Sequence, residues 1–346
     1  MGKQAKHNKK SKKRQKRSTI TLLILLLIVV IGGVIYFFNV KSSDSNKKAT
    51  DSTRTEQKQS KHSKKKQNKS SHHDSANKDN QKNELTTKAE QLMSDDLSPI
   101  GSTTSAYFYD LSSKQSATFG TDKQQRAASD IKLFIMATVY QSVKDGKFYL
   151  NEKYALKDTD KVGGSGALQG MASGTQIYYQ DLLKYMMTQS DNTASNILLD
   201  KVGGISAVNN EIKKLGLTNS VMQRKLMDTK KLTAGQDNMT TAKDLGKFLT
   251  KLYHHQVVSE TADSEMMRLL LQNTNHSKLP AQVASDVKVY NKTGEFSEYG
   301  VQNDAAIMEK GGKAFVIVVL SQNGTEATQH SGMAKLGLDL SRLVFK

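Results

Sequence analysis

The stretch MTQSDNTASNILL, Met187 to Leu199, interrupts an apolar helical pattern with three small polar residues, Ser190, Asp191 and Asn192. Leu182, Leu183, Met186 and Met187 precede the triplet, and Ala194, Ile197, Leu198 and Leu199 follow it at helical spacing. Ser, Asp and Asn favour turns and helix N-caps because their side chains bond to nearby backbone groups. By itself the triplet reads as a capped corner between two buried helices. The rest of the chain decides whether it is also a site.

Outward from the corner, a long helical region is expected from Ser129 to Gly216, with strands on both sides of it. STTSAYFYDL and SATFGTD come before, separated by the polar turn Ser112-Ser113-Lys114. VKVYNKTGE, QNDAAIMEK and AFVIVVLSQ come after, the last two joined at Gly311-Gly312, a hairpin signal. A first helix, ELTTKAEQLMSDDL, begins at Glu84, and a last one covers HSGMAKLGLDLSRLVF. Strands at both ends with helices inserted predict one α+β domain over 89–346, its antiparallel sheet assembled from distant segments.

Two more polar islands accompany the corner. In AASDIKLFIMATVY, Ser129 and Lys132 are three apart at the start of an apolar helix, hence on one face of its first turn. A serine hydroxyl needs a base to become nucleophilic, and a desolvated lysine can serve. Oriented N–H groups at the helix start would face a developing oxyanion. A capping serine followed by a snorkelling lysine would give the same letters. The third island, Lys292-Thr293-Gly294, closes a predicted strand. It supplies a cation, a hydroxyl and a glycine that lets a ligand backbone approach, or it is only a strand end with a glycine turn.

Ser-x-x-Lys, Ser-Asp-Asn and Lys-Thr-Gly in this order, on helix, helix corner and strand, resemble the motif set of class A β-lactamases and penicillin-binding proteins. The resemblance extends over about 89–346 and includes Gly203-Gly204 and Asn303-Asp304. It implies a β-lactamase/transpeptidase-like fold: a five-stranded antiparallel sheet, flanking helices and a helical subdomain. It also implies roles. Ser129 would be the acylated nucleophile, Lys132 its proton acceptor and Ser190 the relay to the leaving nitrogen. Asn192 would hold the substrate amide, and Lys292 and Thr293, with Gly294, the substrate carboxylate. The backbone N–H groups of Ser129 and Glu295 would form the oxyanion hole, and Asp191 would support the corner.

The chain departs from the family in the loop that serves deacylation. No Glu-x-x-Leu-Asn occurs in RKLMDTKKLTAGQDNMTTAKDL, Arg224 to Leu245. Its acids are Asp228, Asp237 and Asp244, of which Asp228 is nearest the expected place. Asp228 is therefore the candidate base, or a loop brace paired with Arg224 or Lys225. Asp130 beside the nucleophile and Glu295 after the Lys-Thr-Gly are further departures, and Glu295 puts a negative charge near the expected substrate carboxylate.

Charge is unevenly spread. The chain has a net charge of +18 and no cysteine, but residues 1–17 hold nine Lys/Arg and no acid, and 41–90 hold thirteen against seven acids. The remainder, 91–346, holds 29 basic and 26 acidic residues, which argues against nucleic-acid binding by the folded part. Ser18 to Val40 is apolar for long enough to span a bilayer. The basic stretch before it predicts a cytoplasmic N-terminus and an extracellular catalytic domain on an uncleaved single-pass anchor. Residues 41–88, including a solvated His72-His73 pair, read as a disordered basic linker. No cofactor or metal is expected. The expected partners are a β-lactam or a D-alanyl peptide or ester, with the membrane holding a monomeric ectodomain. A D,D-peptidase or D-alanyl hydrolase, and a non-catalytic wall-binding domain, are the alternatives to β-lactam hydrolysis.

Overall fold

A computed structural model describes residues 72–346, with side chains from Glu84 onward. The expected anchor 18–40, the basic tail and the linker up to residue 71 lie outside the described residues. Among the described residues no helix is long and apolar enough to cross a membrane.

Helix α1 (His72–Leu97) leads into β1 (Thr103–Asp110) and β2 (Gln115–Gly120). After the short β3 (Gln125–Arg126), a single 3-10 turn, Ala128–Ile131, runs directly into α2 (Lys132–Lys144). A helical subdomain follows, broken by a small antiparallel pair, β4 (Lys153–Ala155) and β5 (Gln176–Tyr178). Its helices are α3 (Tyr179–Thr188), α4 (Asn192–Lys201), α5 (Gly204–Lys214) and the one-turn α6 (Thr229–Thr233). Strand β6 (Met239–Thr240) pairs with β3, and α7 (Ala242–Tyr253) and α8 (Glu260–Leu271) return the chain to the sheet. There β7 (Lys288–Phe296), β8 (Val301–Lys310), β9 (Lys313–Gln322) and α9 (Glu326–Val344) complete the fold.

The five long strands form one sheet in the order β2-β1-β9-β8-β7, every neighbouring pair antiparallel. The central β9 is apolar from Ala314 to Leu320 because both its faces are covered. Val316, Val318 and Leu320 join the core on the helical-subdomain side, while Phe315, Ile317 and Val319 join the core beneath α1 and α9. The side-chain period of two in a strand requires that division. Each such side chain contributes about 1.5–3 kcal/mol by burial, so the sheet is the common wall of two cores. One of its two edge strands, β7, carries Lys292-Thr293-Gly294, buried against neighbouring elements.

Two expectations change. Helix α1 starts at His72 rather than Glu84, inside the stretch 41–88 read as a linker. Ala89, Met93 and Leu97 are buried in the second core and anchor the helix to it. Once a helix exists, each added residue gains a backbone bond without needing an apolar face, so upstream polar residues extend it. The helical region 129–216 is also not continuous. Gly164, Gly166 and Gly174, all at positive φ, turn the chain between β4 and β5. Glycine adopts those angles at no steric cost.

Candidate active site

Ser129 lies on the 3-10 turn that enters α2, next to Ala128, whose φ of 45° is in the left-handed region. Such a backbone costs about 1–3 kcal/mol for a non-glycine residue and persists only where its surroundings hold it. Here the Asn303 amide donates to the carbonyls of Arg126 at 2.9 Å and Ala127 at 3.3 Å, tying the turn to β8.

One helical turn on, Lys132 is fully buried, and its Nζ meets four oxygens. They are Ser129 Oγ at 3.1 Å, Ser190 Oγ at 3.0 Å, the Ser190 carbonyl at 2.5 Å and Asn192 Oδ1 at 2.9 Å. Burial holds the amine well below the usual lysine range, and the charge on Lys292 pushes the same way. A neutral amine has two hydrogens and one lone pair, so among four oxygens a hydroxyl can donate to it. Ser129 and Ser190 are the two hydroxyls available. That is the geometry of a nucleophile beside its base.

The corner is built by Asp191, which is buried and caps α4: Oδ1 accepts from Ala194 N at 2.8 Å and Oδ2 from Leu168 N at 2.9 Å. Any Cβ at Gly166 would fall 2.2 Å from that carboxylate, so only glycine fits there. The cap throws Ser190 to φ 55° and aims its hydroxyl between the two lysines. Asn192 accepts from Lys132 and donates to the Gly163 carbonyl at 3.1 Å, closing one wall of the cleft.

Strand β7 forms the opposite wall. Lys292 Nζ donates to Ser190 Oγ at 3.2 Å and to the Thr293 carbonyl at 2.5 Å. Burial pulls this amine down to about 8, against the pull of Asp130 and Glu295 toward the charged form. A Cβ at Gly294 would lie 2.8 Å from the Ala127 carbonyl and 3.0 Å from Asp130 Oδ2, so the strand passes the Ser129 turn at backbone contact. Asp130 is fully buried, and neither carboxylate oxygen makes a well-formed hydrogen bond among the described residues. Burial pushes it up to about 8, although Lys292 favours its ionised form. Asp304 is likewise pushed up to about 6 by burial, tempered by Lys278 and by the Asn291 amide at 3.0 Å.

A cleft of about 360 Å³ opens onto Ser129 and Asn192. Leu226, Met227, Asn238, Glu295, Phe296 and Glu298 are among its lining residues. The structure thus brings Ser129, Lys132, Ser190, Asn192, Lys292, Thr293, Gly294 and Glu295 to one place. It does not bring Asp228. That side chain caps α6 by accepting from Lys231 N at 3.1 Å, and it does not line the cleft. Nor does it pair with Arg224 or Lys225: Arg224 Nε binds Asp237 at 2.7 Å, and Lys225 binds Asp200 at 2.6 Å. The loop brace is Asp237, which also holds Arg126. The assignment of Asp228 as a base is corrected on this geometry.

Sequence reading missed three contributors. Asn196 clamps Leu226 through both backbone groups at 3.0 Å, and Asn238 accepts from Gln223 N and Arg224 N. Asn196 lies one helical turn past Asn192, the only hint of its role. Lys278 is fully buried and pairs with Glu295, and no local pattern marks it.

The profile of the Beta-lactamase enzyme family matches residues 84–344. Among curated proteins, a β-lactamase from Streptomyces albus G is 24% identical over 236 residues, covering 65% of this chain and 74% of that protein. A β-lactamase from Sphaerobacter thermophilus superposes with TM-score 0.66 at 24% identity, covering 74% of this chain and 96% of that one. A point mutant of PBP-A, solved as its acyl-enzyme complex with penicillin G, superposes with TM-score 0.67 at 24% identity, covering 75% and 96%. The structural likenesses establish the shared fold.

Proposed function

The chain belongs to the beta-lactamase enzyme family, and on that premise we propose a serine hydrolase that is acylated on Ser129 by β-lactams and releases the acyl group slowly. The observation that carries this reading is the buried Lys132 amine, in contact with both Ser129 Oγ and Ser190 Oγ. Lys132 takes the Ser129 proton as Oγ bonds to the carbonyl carbon. The proton passes by way of Ser190 to the leaving nitrogen as the C–N bond breaks. The N–H groups of Ser129 and Glu295 are the oxyanion donors in this scheme, a term typically worth about 10²–10³ in rate.

Slow release follows from the loop 224–245. It presents Leu226 and Met227 to the cleft, while Asp228 points into its own helix cap. Hydrolysis of the acyl-enzyme needs a water held within hydrogen-bond reach of a base, and this loop places no carboxylate there. We propose a D-alanyl peptide or ester of the cell envelope as the alternative donor. The acyl-enzyme reported for the PBP-A mutant with penicillin G is consistent with the acylation half of this scheme. We further propose that Ser18–Val40 anchors the chain and displays the domain outside the cell.

Mass spectrometry after brief mixing with penicillin G tests the proposal. The expected result is an intact adduct on Ser129 that persists for minutes and is absent in Ser129→Ala. Turnover at tens per second would refute slow release, and an adduct in the alanine variant would refute the nucleophile.

A further inference from the structure

The cleft carries its own carboxylate where a substrate carboxylate is expected. Lys278 comes from the segment between α8 and β7 and is fully buried, and its Nζ is bound by Glu295 at the cleft's edge. Asn275 Nδ2 donates to the same Glu295 oxygen at 2.7 Å, and the Asn275 carbonyl accepts from Asn291 at 3.3 Å, so the arrangement is held from behind. Burial raises the Glu295 carboxyl, but the charge and hydrogen bond of Lys278 outweigh this and keep it below the usual glutamate value.

Among the described residues, the cations nearest this end are already engaged by groups of the protein. Arg224 is engaged by Asp237 at 2.7 Å. Lys292 Nζ donates to Ser190 Oγ and to the Thr293 carbonyl, with Asp130 and Glu295 acting on its charge. Glu298 lines the cleft and has no ion pair among the described residues. A donor with a free carboxylate on its leaving side would meet two carboxylates, Glu295 and Glu298, in the cleft.

We infer that Glu295 is a built-in specificity element that selects acyl donors with no negative charge on the leaving side, neutral esters or amides, over donors with a free carboxylate there. The inference rests on the Ser129 acyl-enzyme reading and deepens it. In the ester case Ser129 Oγ bonds to the carbonyl carbon and the C–O bond breaks. The alcohol departs with the serine proton. Water then hydrolyses the acyl-serine, giving the free acid and restoring the hydroxyl, so no further reactant is needed.

A matched pair of donors tests this: penicillin G and its neutral methyl ester, which differ only in that charge. The full-length protein is mixed with each, and the Ser129 acylation rate is divided by that compound's own alkaline hydrolysis rate. Recognition of a charged partner is worth about ten- to a hundredfold. The wild type is expected to favour the ester by at least tenfold, and Glu295→Gln, which releases Lys278, to shrink or reverse that preference by a similar factor. A wild type that prefers the free acid would overturn the inference without any variant, as would a ratio unchanged in Glu295→Gln. Adducts on Ser129 with an unfavourable ratio sink this inference alone, whereas no adduct with either compound sinks the acyl-enzyme reading beneath it.

Discussion

At the residue scale, the site is two buried lysines and one buried carboxylate, Asp130, arranged around two serines. Lys132 must lose its proton to act as a base, and Lys292 must keep one to remain a cation. Acylation should therefore rise with pH as Lys132 deprotonates and fall as Lys292, pulled down to about 8 by burial, loses its charge. Asp130 favours the charged form of Lys292. Asp130→Asn should move the alkaline limb of the acylation profile to lower pH, by more than it moves the acid limb. An alkaline limb that stays in place would leave Asp130 as packing only. The same variant changes the stability profile. Native Asp130 holds its proton up to about 8, against 3.8 for an ordinary aspartate, so its contribution is complete below the lower value and is lost as pH rises between the two. Urea unfolding of Asp130→Asn should fall less steeply over that interval than the wild type.

At the scale of elements, the loop 224–245 and strand β7 set what the serine meets. Removing the α6 cap in Asp228→Ala should cost about 1 kcal/mol and leave the lifetime of the penicillin adduct unchanged. A longer lifetime would return Asp228 to the chemistry. Asp237→Asn should cost more, about 3–5 kcal/mol, because it leaves the buried Arg224 without its anion. Denaturant midpoints of the two variants separate cap from brace. Gly294→Ala would drive a methyl group into the Ala127 carbonyl and the Asp130 carboxylate. It should push β7 off the Ser129 turn and reduce acylation by about a hundredfold or more, in line with the cost of 1 Å misplacements.

At the scale of the whole molecule, the sheet couples two cores, so neither forms without it. Ile317 belongs to the core under α1 and α9, while its neighbours Val316 and Val318 belong to the other. Ile317→Ala should destabilise by about 2–5 kcal/mol. The loss should appear in one cooperative transition reported equally by near-UV signals and by penicillin labelling. Separate transitions would mean that the helical subdomain folds apart from the sheet. Both cores close within the matched residues 84–344, so a fragment 84–346 should unfold at the same midpoint as the full chain.

What the sequence by itself determined follows from local physics. Short apolar runs bounded by turn residues marked the five strands, helical spacing marked α2, α3 and α4, and the three motifs marked the residues that converge, because each depends on neighbours within a few positions. The Ser-Asp-Asn corner could be read as a cap from its side chains alone, and Asp191 fills that role. The small β4–β5 pair was hidden in a stretch read as helix, since its glycines act through φ angles that composition does not reveal. The tertiary structure alone decided that Asp228 turns to its own helix, that Asp237 braces the loop, and that Lys278 reaches Glu295 from 17 residues away. Partners of a buried charge are chosen by what the fold packs against it, and burial is what makes the choice energetically decisive.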